Sequence, residues 1–263
     1  MTDLVPRPLP DDEKLLPFWD HIGELRDRLI RSVLAVFGGL SVAYFLRFRL
    51  WDIAKRPLLL ALSARQHVPV ESLHPFAYTD LAEPFFSLMR LSFWAAVFVV
   101  SPYLFYQLWA FIRPALRERE RRMAMSFVVV TSACFILGAL FAYFFMFGTL
   151  TDILLEEAFN AGLRANMRPD EYLNLFLYTV VGVGVSFETP VLFYFLARFR
   201  LVDSRKMLKY WREATIVILF VSAFLTPGDV VATTILFGIV LLALYFLSAL
   251  VVWLVERGRA ADE

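Results

Sequence analysis

The stretch VGVGVSFETPVLFYFL, Val181 to Leu196, is fit for lipid at nearly every position except Glu188 and Pro190. A helix needs about 20 mainly apolar residues to cross roughly 30 Å of hydrocarbon. The run from Leu173 to Ala197 around the quoted segment satisfies this. The segment therefore reads as the second half of a membrane span with an acid inside it. A carboxylate at that depth costs at least a few kcal/mol on insertion scales, so its side chain is expected to face protein or water. Pro190 removes one backbone donor and crowds the preceding turn. A kink there would aim Glu188 into a concavity. Gly182 and Gly184 would let a neighbouring helix or a substrate approach closely. Two readings of Glu188 fit these facts: a structural hydrogen bond to a neighbouring helix, or a functional group in a hollow.

The rest of the chain repeats the pattern of the quoted run. Further apolar runs cover Leu29 to Leu46, Phe85 to Ile112 and Met123 to Phe147, and a close pair follows at Ala214 to Leu225 and Val230 to Val255. Thr226-Pro227-Gly228-Asp229 joins that pair and carries a turn signal. Twelve helical residues rise only about 18 Å. Ala214 to Leu225 thus crosses only where flanking residues snorkel or the bilayer thins; a re-entrant hairpin is the alternative. Of the 263 residues, 59% are hydrophobic and 19% charged, against about 45–50% and roughly 25% in soluble domains. The expected fold class is an all-α integral membrane protein, with residues 1–263 as a single membrane domain. Its six transmembrane helices are approximately 29–46, 85–112, 123–147, 173–197, 214–225 and 230–255, the fifth and sixth short. No internal repeat is visible, unlike in many secondary transporters.

Six crossings put both termini on one side, and basic residues choose the side. The segments on the side of the termini carry 18 Lys and Arg, and the opposite segments carry 7. Both termini are predicted to be cytoplasmic, with the chain in the cell inner membrane. Residues 47–84 then form an outer cap loop, although Arg47, Arg49, Lys55 and Arg56 run against the trend there. Leu58, Leu59, Leu60 and Leu62 suggest that this loop is packed, with an interfacial helix.

Several functions are disfavoured. A net charge of +1 gives no reason to expect a nucleic-acid partner. The lone Cys134 excludes an intrachain disulfide and a Cys-rich metal site. The three histidines form no metal-ligand pattern, and no phosphate-binding G-x-x-x-x-G-K-[ST] loop or nucleophile–base pair stands out. No cofactor, no metal and no enzymatic activity are expected, and no secretory signal peptide is recognised at the start. Energy would come from the membrane gradient or a partner.

Two charged stretches flank the spans. HIGELRDRL, His21 to Leu29, places Glu24 and Arg28 at i, i+4, and reads either as the capped start of the first span or as a binding element. RPALRERERRM, Arg113 to Met123, is either a solvated loop or part of the same surface. Glu24 and Glu120 both precede spans that start from the cytoplasmic side. They lie at similar depth, and each could accept an arginine fork.

These residues resemble the TatC family, the polytopic core of the twin-arginine protein translocase. HIGELRDRL, LAEPFFSLMRLSF, SPYLFYQLWAFIRPALRERERR, VSFETPV and LTPGD occur in order along the chain. The resemblance implies a concave, cup-like bundle that receives twin-arginine signal peptides of folded cargo, driven by the proton-motive force. It implies signal-peptide binding by Glu24, Arg26, Phe111 and Glu120, and intramembrane functional roles for Glu188 and Arg90. It also implies docking of TatA/TatB-type single-span partners at the hairpin, with Thr226, Pro227 and Asp229, and homo-oligomers within a larger complex. Arg90 stands where relatives often have lysine, and Phe237-Gly238 replaces a proline-containing stretch. The rival reading is a proton-coupled transporter or channel with Glu188 as relay.

Overall fold

The computed structural model describes residues 10–112, 124–163, 165–225 and 231–262. Among them the chain is helical, with no strand beyond one bridge between Phe76 and Met167. Ten α-helices follow in order: α1 Pro10–Phe45, α2 Arg47–Gln66, α3 Glu83–Ile112, α4 Ala124–Phe141, α5 Phe147–Asn160, α6 Pro169–Ser186, α7 Thr189–Arg198, α8 Ser204–Lys209, α9 Trp211–Leu225 and α10 Val231–Asp262. A π-helical turn, Ala142–Met146, makes α4 and α5 one rod. Among the described residues five segments are long and apolar enough to cross a membrane: His21–Phe45, Glu83–Ile112, Phe127–Asn160, Pro169–Arg198 and Thr233–Gly258. Their flanks carry fully lipid-compatible side chains in the open, such as Phe45, Val99, Phe144 and Leu250. This is the pattern of a bundle whose solvent is hydrocarbon.

Two expectations change. The first helix does not start near Leu29. It begins at Pro10, so HIGELRDRL lies well inside α1 and Glu24 is no first-turn acid. A polar segment at helical spacing extends the helix where an apolar window registers nothing. The fifth helix is short as expected, 15 residues or about 22 Å. The sixth is not short: α10 has 32 residues. Within residues 47–84, where a packed segment with a helix was expected, α2 occupies 20 residues.

Packing divides the bundle into a cap end, where α2 sits, and a rim end, where α1 begins. At the cap end Leu58 and Leu62 of α2 meet Phe147 and Leu150 of α5 and Leu173 and Phe176 of α6, all buried. The Tyr172 hydroxyl donates to the Ala54 carbonyl at 2.6 Å, which closes a buried polar group. Ala77 N–H to Met167 O, 3.0 Å, and Met167 N–H to Pro75 O, 2.8 Å, tie the cap to the start of α6.

A polar knot locks the same end. Arg168 reaches Glu83 at 3.3 Å, Asp170 at 3.5 Å and Glu171 at 3.7 Å. Hydrogen bonding to Glu83 holds the Arg168 guanidinium above even its usual high range. Arg90 donates to the Asn174 amide oxygen and, at 3.3 Å, to the Asp170 carbonyl. Its charge is thus bound between α3 and α6 at the cap end.

The fourth span breaks where the sequence suggested. α6 stops at Ser186, and α7 restarts at Thr189 with Pro190 in its first turn. Pro190 cannot donate to the Ser186 carbonyl, and the helix axis is interrupted there. Phe187 at the break fits against Gly138 of α4. A Cβ on Gly138 would lie 2.7 Å from Phe187 Cγ and 3.0 Å from the Gly184 backbone. Gly138→Ala is therefore expected to overpack the α4–α6 crossing and cost about 1–3 kcal/mol. Thermal unfolding in detergent measures it; an unshifted midpoint would mean that the two helices do not meet at Phe187.

Candidate functional site

The rim end assembles two of the sequence-predicted residues with four others. Along α1, His21, Glu24 and Arg28 follow a helical stripe, and along α3 Tyr103, Gln107 and Phe111 follow another. α1 packs along α3, and the two stripes face each other. The His21 and Phe111 rings stack, with centroids 4.4 Å apart and planes 13° from parallel. Arg28 donates from Nε and Nη2 to Glu24 Oε1, at 2.9 and 2.5 Å. The other oxygen, Oε2, has His21 Nδ1 at 3.8 Å, beyond a hydrogen bond. About a third of the Glu24 side chain is open, at 33% exposure. Glu24 and Phe111 thus share one group. Arg26 does not join it: its side chain points to the other face of α1, is largely exposed and pairs with Asp27 at 3.3 Å. Glu120, Thr226, Pro227 and Asp229 lie outside the described residues.

The second feature is a cavity of about 890 Å³ in the rim half of the bundle, between α3, α4, the α6–α7 break, α9 and α10. Its wall is aromatic. Phe127 and Phe195 touch edge to face at 3.8 Å, and Trp109 packs on both at 3.9 and 4.6 Å. Val217 and Val221 of α9 and Leu241 of α10 close the far side. Glu188 lines this cavity, and its Oε1 is buried without a hydrogen-bond partner among the described residues. The hydroxyl of Thr131 on α4 lines it too and is likewise unpartnered. An apolar hollow with two unsatisfied polar atoms suits an extended or helical apolar segment carrying a polar group.

α3 separates the two features. Tyr103, Gln107 and Phe111 face α1, whereas Phe105, Trp109 and Ile112 face the cavity, on the opposite side of the same turns. The two features thus lie on opposite faces of α3.

Gln107, Tyr103 and Thr131 were not picked from the sequence. The first two had a legible signal: with Phe111 they recur at i, i+4, i+8 in an otherwise apolar helix, and polar side chains in such helices usually bind a neighbour. Among the described residues no group of His, Cys, Asp and Glu is arranged to hold a metal ion.

Comparison with known proteins places these features in a family. Residues 20–238 match the family model described as Sec-independent protein translocase protein (TatC). The chain is 34% identical over 253 residues to the Sec-independent protein translocase protein TatC of Desulforapulum autotrophicum, covering 96% of this chain and 90% of that one. It is also 34% identical to that of Campylobacter jejuni, over 95% and 99% of the two chains. Among solved structures, a crystal structure of the twin arginine translocase receptor TatC superposes with a TM-score of 0.75 at 28% identity. It covers 90% of this chain and 99% of that one.

Proposed function

This chain belongs to the TatC family of Sec-independent protein translocase proteins, and we propose that it is the twin-arginine signal-peptide receptor and core subunit of a translocase that exports folded proteins. The observation that carries this reading is the match over residues 20–238, which takes in the rim group, most of the cavity lining, α9 and the start of α10. The geometry supports it in two places. Glu24 offers a part-open carboxylate oxygen at the rim, suited to a guanidinium. The cavity beside Glu188 offers apolar walls for the hydrophobic part of a leader.

The peptide binds with its arginines at Glu24 and, from the resemblance, at Glu120. Its apolar segment then passes over the end of α3 and enters the cavity. Arg26 serves as a solvated charge on the flank of this surface. The rim faces the cytoplasm of the cell and the α2 cap faces out of the inner membrane, which agrees with the distribution of basic residues. Arg90, tied to Asn174 and the Asp170 backbone, secures the cap half. As a translocase component the chain works with other subunits. TatA/TatB-type single-span helices dock on α9, whose Ile216, Phe220 and Phe224 are exposed, near the turn that holds Thr226, Pro227 and Asp229. Further copies of the chain complete the complex. The work of transport comes from the proton-motive force.

A proton relay would need a file of ionisable groups. Among the described residues lining the cavity, Glu188 is the only acid or base besides the Tyr245 phenol. The direct test uses full-length protein in nanodiscs and a folded cargo carrying a twin-arginine leader. Retention of that cargo is expected at about tenfold or more over the same cargo with twin lysine, the difference of about one charge-assisted hydrogen bond. Equal retention of both, or none of either, would defeat the receptor assignment. Proton flux through empty liposomes would support the transporter instead.

A further inference from the structure

Glu24 already holds an arginine. Arg28 sets Nε and Nη2 on the same oxygen, Oε1, rather than one on each. Its third nitrogen, Nη1, donates to Gln107 Oε1 on α3 at 3.3 Å. Gln107 is 5% exposed, and its amide nitrogen donates to the Tyr103 hydroxyl at 2.6 Å. The chain Tyr103–Gln107–Arg28–Glu24 thus runs from one helix to the other without a gap. The amide can point only one way, since its oxygen must face the all-donor guanidinium.

We propose that Arg28, clamped by Gln107 and Tyr103, is a positioning residue for signal-peptide recognition: it fixes the Glu24 carboxylate so that Oε2 alone is presented to the incoming arginine. The proposal rests on the reading of Glu24 as a recognition carboxylate. Charge by itself gives little attraction here, because Glu24 and Arg28 neutralise each other. Direction has to supply the selectivity. A guanidinium has planar donors at fixed angles and gains from an acceptor held in one orientation. An ammonium is a compact point charge with rotatable donors and gains little from it. The clamp therefore makes the rim prefer arginine over lysine. A bare i, i+4 pair would steady α1 equally well without Gln107. The buried amide adds a fixed plane for Arg28 and does not alter the pair itself.

The test measures binding of fluorescent twin-arginine and twin-lysine signal peptides to the full-length chain in nanodiscs. Gln107→Met keeps the buried volume and removes both hydrogen bonds. Arg28→Lys keeps the charge and breaks the link to Gln107. Both are expected to weaken twin-arginine binding about five- to tenfold and leave twin-lysine binding within about twofold, so that the preference collapses. Tyr103→Phe, which keeps the ring, is expected to move the ratio in the same direction by less. Should Gln107→Met fold poorly, the Tyr103→Phe and Arg28→Lys ratios decide. An unchanged ratio in these variants, or equal loss for both peptides, overturns the proposal. Glu24→Gln separates the two levels. If it abolishes the preference while the clamp variants keep it, the clamp is wrong and the recognition role of Glu24 stands. If it leaves the preference intact, both fall.

Discussion

Glu188→Gln is expected to leave folding and peptide capture at the rim unchanged while cutting export about 10- to 100-fold, the worth of a hydrogen bond to a charged group, about 1.5–3 kcal/mol. The side chain hangs in an apolar cavity with Oε1 unpartnered, and the Thr131 hydroxyl across the same space is unpartnered too. A buried acceptor left open in this way is costly unless something fills it in part of the working cycle. A segment of peptide or partner helix that brings a donor to this depth would do so. Glutamine keeps the shape of the side chain and loses the acid, so the fold does not register the change but the passing donor does. Glu188→Asp retains the carboxylate on a shorter arm and should fall between the two. The measurement pairs export of a folded reporter in cells with peptide binding in nanodiscs. Wild-type export from Glu188→Gln would leave Glu188 as a structural residue of the α6–α7 break.

That residue was legible from the start because an acid in a lipid-fit run has few explanations, and Pro190 beside it marked the break. Hydropathy also gave the class of fold, since each long span is a continuous run that needs no tertiary information. The start of α1 was not legible by the same means. Residues 10–28 are rich in charge, and a window that scores apolar length stops short of them, although the helix goes on to Pro10. The α2 cap was legible only in part: its leucines suggested a packed segment with an interfacial helix, while the partners that bury Leu58 and Leu62 lie on α5 and α6, far away in the sequence. The cap-end knot joins Glu83 to Arg168, 85 positions apart, and no local spacing reveals such a pair. Glu24 shows the mixed case. Its i, i+4 partner Arg28 follows from spacing alone. The Gln107 and Tyr103 clamp that orients Arg28 exists only because α1 lies along α3.

Glu24→Lys should have the larger effect on recognition: twin-arginine peptide binding is expected to fall about 100-fold or more. Two terms add. The recognition oxygen is lost, worth about 1.5–3 kcal/mol for a charge-assisted bond. In its place stands an ammonium next to the Arg28 guanidinium, which was 2.5 Å from the oxygen now missing. At the rim, with effective dielectric near 20, like charges about 4 Å apart repel by roughly 4 kcal/mol before they move away. Arg28 then swings toward Gln107 or solvent, and the incoming arginines meet two cations. Added salt should weaken wild-type binding modestly, because the site is part-open, and should partly relieve the variant by screening the repulsion. A charge swap tests position against charge. Glu24→Arg with Arg28→Glu restores an internal pair of the same composition but puts the carboxylate one turn further along α1, beside Gln107. If recognition depends on where Oε2 is offered, the swapped protein folds as well as the parent and still fails to hold the peptide. Recovery of binding in the swap would show that net charge at the rim, and not the placement of this carboxylate, selects the leader.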